Sequence, residues 1–183
     1  MNEKQKEAEE EKGKTEEKKP ETPQVEEKPE IKSELLDSIR EKLSDLILES
    51  RVQRERRLLI SIDGKNLLKA CKTLCEMGFD HLSSIAGVEY EDRFEVVYHL
   101  WSYSHNNLLT LKAKLPKDSP KIDSITSIWR SANWHERETY DLMGIIFEGH
   151  PDLRRILNPD DFEGFPLRKD YTLTESPWFE EEK

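Results

Sequence analysis

The sequence predicts an α+β domain, with helices packed on a mainly antiparallel sheet. Three strand-like stretches, at about 80–89, 94–102 and 108–115, follow one another through the short polar connections "EDR" and "SHNN". Connections that short join antiparallel neighbours. In the last stretch Leu109, Leu111, Ala113 and Leu115 alternate with Thr110, Lys112 and Lys114, the pattern of a strand with one wet face. The full order reads α-β-α-β-β-β-α followed by an extended tail, which is the layout of helices segregated on a sheet.

Each element has its own warrant. Residues 1–32 hold only Met1, Ala8, Val25 and Ile31 as apolar residues and are broken by Pro20, Pro23 and Pro29. Such a segment buries too little apolar surface to offset chain entropy, so a disordered charged tail is expected. Ser33 then caps a helix through "ELLDSIREKLSDLILES", where Leu35, Leu36, Ile39, Leu43, Leu46 and Ile47 form one apolar stripe. "RLLISID" reads as a strand from Arg57 to Ile62. Asp63 caps the next helix, "GKNLLKACKTLCEM", with Gly78 at its stop. After the three strands, Pro116 and Pro120 break the pattern, and a helix is expected from about Asp123 to Met143, ended by Gly144. The domain therefore covers 33–143, and 144–183 is short on regular structure, with "GHP", "NPDD", "EGFP" and "ESPWFEEEK" as turns and extended pieces.

Composition removes some functions. A formal net charge of −10 argues against a general nucleic-acid binder, which needs a basic face to neutralise phosphates. The two cysteines, Cys71 and Cys75, sit one helical turn apart, a poor geometry for a disulfide. They point to a reducing location and a half-buried core pair. No apolar run approaches the roughly 20 residues that span a bilayer, and the N-terminus lacks a signal peptide's apolar region, so a soluble or peripheral protein is expected.

The stretch from Trp134 to Tyr171, "WHERETYDLMGIIFEGHPDLRRILNPDDFEGFPLRKDY", concentrates the chemistry-bearing side chains. "HERET" is no zinc-protease helix, because Thr139 stands where HExxH needs its second histidine. Glu138 and Asp141 are neighbours on a helix, and Arg137 and Asp141 are spaced to pair. Paired-carboxylate hydrolysis needs acids lining a pocket with separated proton affinities. Nothing around these acids supplies substrate-binding features, so a structural or interface charge network is the preferred reading. His150, before Pro151, reads as a satisfied loop histidine. Arg154, Arg155, Arg168 and Lys169 are interleaved with Phe162, Phe165 and Tyr171, the composition of a protein interface. No glycine-rich nucleotide cradle is present.

This stretch resembles the signature of the 30 kDa subunit of respiratory complex I, the NADH-quinone oxidoreductase of bacteria. That pattern has E-R-E, two residues, an acid, two apolar residues, six residues to His or Lys, and a basic-x-apolar-apolar ending. Here it reads Glu136-Arg137-Glu138, Asp141, Leu142-Met143, His150, Arg154 and Ile156-Leu157. "FPLRKDY", "FDHLSSIAGVEY" and "LKAKLPKDSPKIDSITSIWRSANW" are also similar to the family, so the resemblance covers about 33–175.

The resemblance implies a non-catalytic accessory subunit of a proton-pumping quinone oxidoreductase, docked beside the quinone-reaction module on the cytoplasmic side of the cell membrane. The implied partners are the 49 kDa-type and 20 kDa-type subunits. Iron–sulfur clusters, flavin and quinone are expected in those neighbours, with no cofactor, metal or catalytic residue in this chain. The C-terminal segment 144–183 would wrap over neighbouring subunits. Signature and interface residues would be Glu136, Arg137, Glu138, Asp141, His150, Arg154, Arg155, Arg168, Asp170 and Tyr171, with ion pairs near Glu136–Met143 holding the tail to the body. Two alternatives stand beside this. One is the equivalent subunit of a membrane-bound hydrogenase or of a deazaflavin- or ferredoxin-dependent dehydrogenase. The other is a stand-alone acid/base enzyme using Glu136, Glu138 and His150.

Overall fold

The computed structural model describes residues 33–172. The charged tail expected over 1–32 and the end of the C-terminal segment, 173–183, lie outside the described residues. Within them the elements are α1 (Glu34–Lys42), β1 (Ile47–Arg54), β2 (Arg57–Asp63), a single 3-10 turn (Gly64–Asn66), α2 (Leu67–Glu76), β3 (His81–Glu89), β4 (Arg93–Ser102), β5 (Asn107–Pro116), β6 (Lys121–Asp123), α3 (Ala132–Met143) and β7 (Ile146–Glu148). Five strands form one sheet in the order β1-β2-β5-β4-β3. Every neighbouring pair is antiparallel except β2 and β5, which run parallel. A two-stranded parallel ribbon, β6-β7, stands apart. The α+β architecture and the β3-β4-β5 meander are those the sequence predicts.

The first helix is shorter than its apolar stripe suggests. Ser33 Oγ accepts the Leu36 N–H at 3.4 Å, and acids in the first turn with bases in the last complement the helix dipole. The helix stops at Lys42, with Leu43 as its C-terminal cap. Leu46 and Ile47, expected to extend the stripe, turn away and pack half-buried against the core as β1 begins. Strand pairing decides the matter: Ile47 faces Ile62 and Val52 faces Leu58 across the β1-β2 ladder. Apolar residues over 46–52 satisfy either period, and a neighbouring strand edge outweighs a weak helix propensity.

The last helix also starts later than expected, at Ala132 rather than near Asp123. Residues 121–123 form β6 instead. The next stretch offers the backbone other partners: Ser124 Oγ bonds Thr126 Oγ1 at 2.8 Å and accepts the Thr126 N–H at 3.3 Å. Local side-chain bonds of this kind compete with helix. After the helix, Gly144 takes φ +69 and hands the chain to β7, a strand the sequence reading did not contain.

The core lies on one face of the sheet. Leu58, Ile60 and Ile62 of β2, Phe94, Val96, Tyr98 and Leu100 of β4, and Leu109, Leu111 and Ala113 of β5 meet Ile39, Leu43, Leu67, Cys71, Leu74 and Met143 from the helices. Cys71 is buried and Cys75 half-buried, both as free thiols. Gly87 brings α3 close to β3. A Cβ there would lie 3.1 Å from Thr139 and 3.2 Å from Ile145 and Met143.

Candidate functional site: the α3 clamp on the C-terminal segment

Helix α3 sorts its charged residues into different environments. Glu136 and Asp141 are fully buried, Arg137 is 7% exposed, and Glu138 points to solvent. The helix passes between the sheet and the irregular chain after β7, so its inner and outer charges answer to different neighbours.

Asp141 is the centre of the arrangement. Its Oδ1 accepts from Arg155 Nη1 at 2.7 Å and from the Asn158 side-chain amide at 2.9 Å. Its Oδ2 accepts three successive backbone N–H groups, those of Ile156, Leu157 and Asn158, at 3.0, 2.7 and 2.9 Å. Burial pushes this carboxyl up, but the Asn158 and Ile156 N–H groups, the Asn158 amide and the Arg155 guanidinium hold it well below the usual carboxylate range. A carboxylate this fully engaged has no lone pair left for proton transfer.

Arg137 and Asp141, spaced to pair along the helix, do not pair. Arg137 donates instead to the Arg154 and Arg155 carbonyls, at 3.1 and 2.9 Å, and lies 5.3 Å from the Trp134 ring centroid. The same turn, 154–158, is thus held at its carbonyls by Arg137 and at its N–H groups by Asp141.

Two arginines from the segment return the contact. Arg155 Nη1 also reaches the Asp141 carbonyl at 3.1 Å, and Nη2 reaches the Gly164 carbonyl at 2.9 Å. Arg168 Nε donates to the Met143 carbonyl at 2.7 Å. The Asp141 and Met143 carbonyls belong to α3's last turn and have no partner within the helix, so cations there satisfy hydrogen bonds and complement the dipole together. Phe165 lies between the two guanidinium groups, 5.4 Å from Arg155 and 4.7 Å from Arg168. Arg168 also lies 5.4 Å from the Phe94 ring at the start of β4.

Glu136 serves the other side of the helix. Its carboxylate accepts from Ser124 Oγ at 2.6 Å and from the Ile125 N–H at 2.8 Å, tying the loop after β6 to α3. Burial pushes its carboxyl up to about 7, against both hydrogen bonds. The neighbouring Cys71 thiol and Tyr98 hydroxyl are likewise pushed up, by burial first.

The remaining predicted residues sit around the clamp. His150 Nδ1 accepts the Asp152 N–H at 3.0 Å, which leaves Nε2 to donate to the Asn133 carbonyl at 3.2 Å. Arg154 is exposed and pairs with Asp152 at 3.0 Å. Asp170 is exposed. Tyr171 is half-buried, with its ring 6.1 Å from Phe162 and against Gly164. Three contributors were not singled out by sequence. Asn158 was read only as part of a turn, and Ser124 as part of a helix. Glu89, at the end of β3, accepts the Lys169 N–H at 2.8 Å and pairs with Lys117 at 3.1 Å. Only Asn158, a polar residue beside the signature, carried a local signal.

Among the described residues no group of three or more His, Cys, Asp or Glu is placed to hold a metal ion, and no helix is long and apolar enough to cross a membrane. What the arrangement does is mechanical. It fixes residues 150–172, which have no core of their own, to the end of α3. Leu157 and Leu167 remain 62% and 60% exposed on that segment, and Trp134 is 61% exposed beside it.

Comparison with known proteins gives a consistent answer. Residues 60–177 match the family model described as respiratory-chain NADH dehydrogenase, 30 Kd subunit. A subunit of the F(420)H(2) dehydrogenase of Methanosarcina mazei is 43% identical over 141 residues, covering 75% of this chain and 89% of that one. A subunit of the NADH-quinone oxidoreductase of Chloroherpeton thalassium is 52% identical over 99 residues, covering 53% of this chain and 41% of that longer one. Among solved structures, a chain of the membrane-bound sulfane sulfur reductase, an archaeal respiratory membrane complex, superposes with a TM-score of 0.70 at 27% identity, over 76% of this chain and 85% of that one. A trypsin-resistant fragment of Nqo5 gives 0.56 at 30% identity, over 65% of this chain and 96% of the fragment.

Proposed function

The chain belongs to the respiratory-chain NADH dehydrogenase 30 kDa subunit family, and from that premise we propose that it is a non-catalytic subunit of the peripheral arm. In this role it supports the quinone-reaction module beside a 49 kDa-type subunit and a 20 kDa-type subunit. It meets the membrane only through the complex, on its cytoplasmic side. Redox groups reside in the neighbouring subunits.

One observation carries the reading: the signature acids and arginines are spent on holding residues 154–158 to α3. Asp141 and Arg155 are locked in a buried pair with every strong acceptor position used, as a structural joint requires. The segment they fix presents Leu157 and Leu167 outward, with Arg154, Glu138 and Asp170 exposed around them. Apolar anchors inside a polar rim are the composition of a protein contact. Fixing the segment before association also lowers the ordering cost of docking.

A stand-alone acid/base enzyme built on Glu136, Glu138 and His150 fits less well. Glu136 faces the core, Glu138 faces solvent, and both ring nitrogens of His150 are engaged by backbone groups.

A second reading concerns the electron donor. The 43% identity to an F(420)H(2) dehydrogenase subunit, over most of both chains, favours the equivalent position in a complex that does not take electrons from NADH. The donor site would lie in other chains. One experiment addresses both readings: a mild-detergent pull-down of the tagged native chain from its own membranes, with mass-spectrometric identification of partners. Recovery of the 49 kDa- and 20 kDa-type subunits is the expected result, and the accompanying donor module distinguishes the two complexes. Recovery of a folded chain alone would overturn the subunit reading.

A further inference from the structure

Arginines are concentrated on the β1-β2 hairpin. Arg51, Arg54, Arg56 and Arg57 fall within seven positions of a chain whose net charge is −10. Strand register places three of them on one surface. Arg54 stands opposite Arg57, Arg57 beside Leu108, Leu108 opposite Trp101, and Trp101 opposite His81. This row crosses all five strands. The next row on the same face reads Arg51, Leu59, Thr110, His99 and Ser84. The residues that alternate with these, Leu58, Leu100 and Leu109, belong to the core. Both rows therefore lie on the sheet face turned away from it.

Three features of this face have no use inside the chain. Leu59 is 2% exposed yet lies outside the core cluster, so apolar burial has begun on the second face. Trp101 and Leu108 are only half-buried. Arg54 and Arg57 are exposed and directly opposed, and among the described residues neither has an ion-pair partner. Like charges directly opposite in a strand pair weaken the ladder. Arg51 and Arg56 reach Glu49 and Glu55 only at 3.8 and 3.9 Å.

We infer that the hairpin end of this open sheet face docks an acidic segment of another subunit of the complex. Carboxylates would sit on Arg51, Arg54 and Arg57, and apolar side chains would cover Leu108 and Trp101. A guanidinium fork binds a carboxylate through two parallel bonds, and arginine with tryptophan is what interface centres enrich. A nucleic acid fits this face less well. The whole chain repels a polyanion, and Glu49 and Glu55 stand among the arginines. The surface is separate from the clamp: Arg168 covers Phe94, which stands at the other end of β4 from Trp101 and on the other face. The inference rests on the subunit reading above.

The test uses the intact complex, with a photo-reactive amino acid replacing Glu55 at the hairpin tip of the full chain. Irradiation is expected to join this chain to an Asp/Glu-rich stretch of a different subunit, located by mass spectrometry. Arg54→Gln with Arg57→Gln is expected to lower the adduct yield about tenfold, while the thermal midpoint of the isolated chain stays level or rises. A purely structural role for these arginines would lower that midpoint and leave the adduct. Absence of an adduct in a complex that still co-purifies would overturn the docking site and leave the subunit reading intact. An adduct to nucleic acid or to a second copy of the chain would also overturn it. A chain that purifies without oxidoreductase partners would remove both.

Discussion

Asp141 and Arg155 meet at 2.7 Å, and the same carboxylate caps three consecutive backbone N–H groups of the chain that carries Arg155. Ion pair and backbone cap reinforce each other, because the cap fixes where Arg155 begins and the pair fixes where it ends. Asp141→Asn keeps the shape and removes the charge, leaving the Arg155 guanidinium and at least one N–H without a proper acceptor. Breaking one side of such a buried pair costs about 3–5 kcal/mol, to be read from urea unfolding. Hydrogen exchange at the Ile156, Leu157 and Asn158 amides is expected to accelerate more than at the core strands. The depressed carboxyl contributes stability above its ordinary value near 3.8 and loses it as pH falls, so the variant's deficit shrinks in acid.

Arg155→Ala and Glu138→Ala separate folding from assembly. Arg155 bonds Asp141 and the Gly164 carbonyl and stacks near two rings, so its loss is expected to destabilise the isolated chain by about 2–4 kcal/mol. Glu138 is exposed, so its loss is expected to change isolated stability by less than about 0.5 kcal/mol. Any effect of Glu138→Ala appears only as weaker retention in the complex. Chemical denaturation of the free chain beside native-gel analysis of the complex checks both.

Gly144→Ala tests the joint at the end of α3. Gly144 holds φ +69, and a Cβ there would sit 2.6 Å from both Arg168 Nη2 and the Phe165 ring. Left-handed strain and displacement of the stacked pair act together, for an expected loss of about 1–3 kcal/mol. A melting curve measures it. A neutral result would mean that Arg168 and Phe165 move aside freely.

Glu136 gives a pH signature. Its carboxyl titrates near 7 in the folded protein against an ordinary 4.5. A raised value favours the folded state fully below about 4.5 and loses that contribution as pH rises through about 7. Glu136→Gln can still accept the Ile125 N–H, and Ser124 can reverse its hydroxyl to accept from the amide. The unfolding free energy of the variant relative to the parent should therefore climb between pH 4.5 and 7, by at most about 1.4 kcal/mol per pH unit, and be flat outside that window. Denaturation series at five pH values would show the slope or its absence.

Legibility in the sequence followed the range of the interaction. The meander was visible because each strand alternates on its own and each connection is short. The caps at Ser33, Asp63 and Gly144 were visible because capping is local. The β1 strand was hidden inside a helical stripe, since only its pairing with β2 distinguishes the two periods. The parallel union of β2 with β5 left no local trace. In the clamp, the signature marked Asp141 and Arg155 as important, while their actual partners depended on a turn brought back by the fold. The i,i+4 rule suggested Arg137 for Asp141 and was overruled by the carbonyls of Arg154 and Arg155, which burial left needing a donor.

The parallel β2-β5 pairing also sets an order of events in folding. Arg57 and Leu108 are neighbours in the sheet but about fifty positions apart in the chain. β3, β4 and β5 join through short turns and close small loops, whereas β2 must wait for a large one. The meander is thus suited to form early and to serve as a template. The β1-β2 hairpin arrives late, bringing its arginines to the sheet face only as the last central ladder closes.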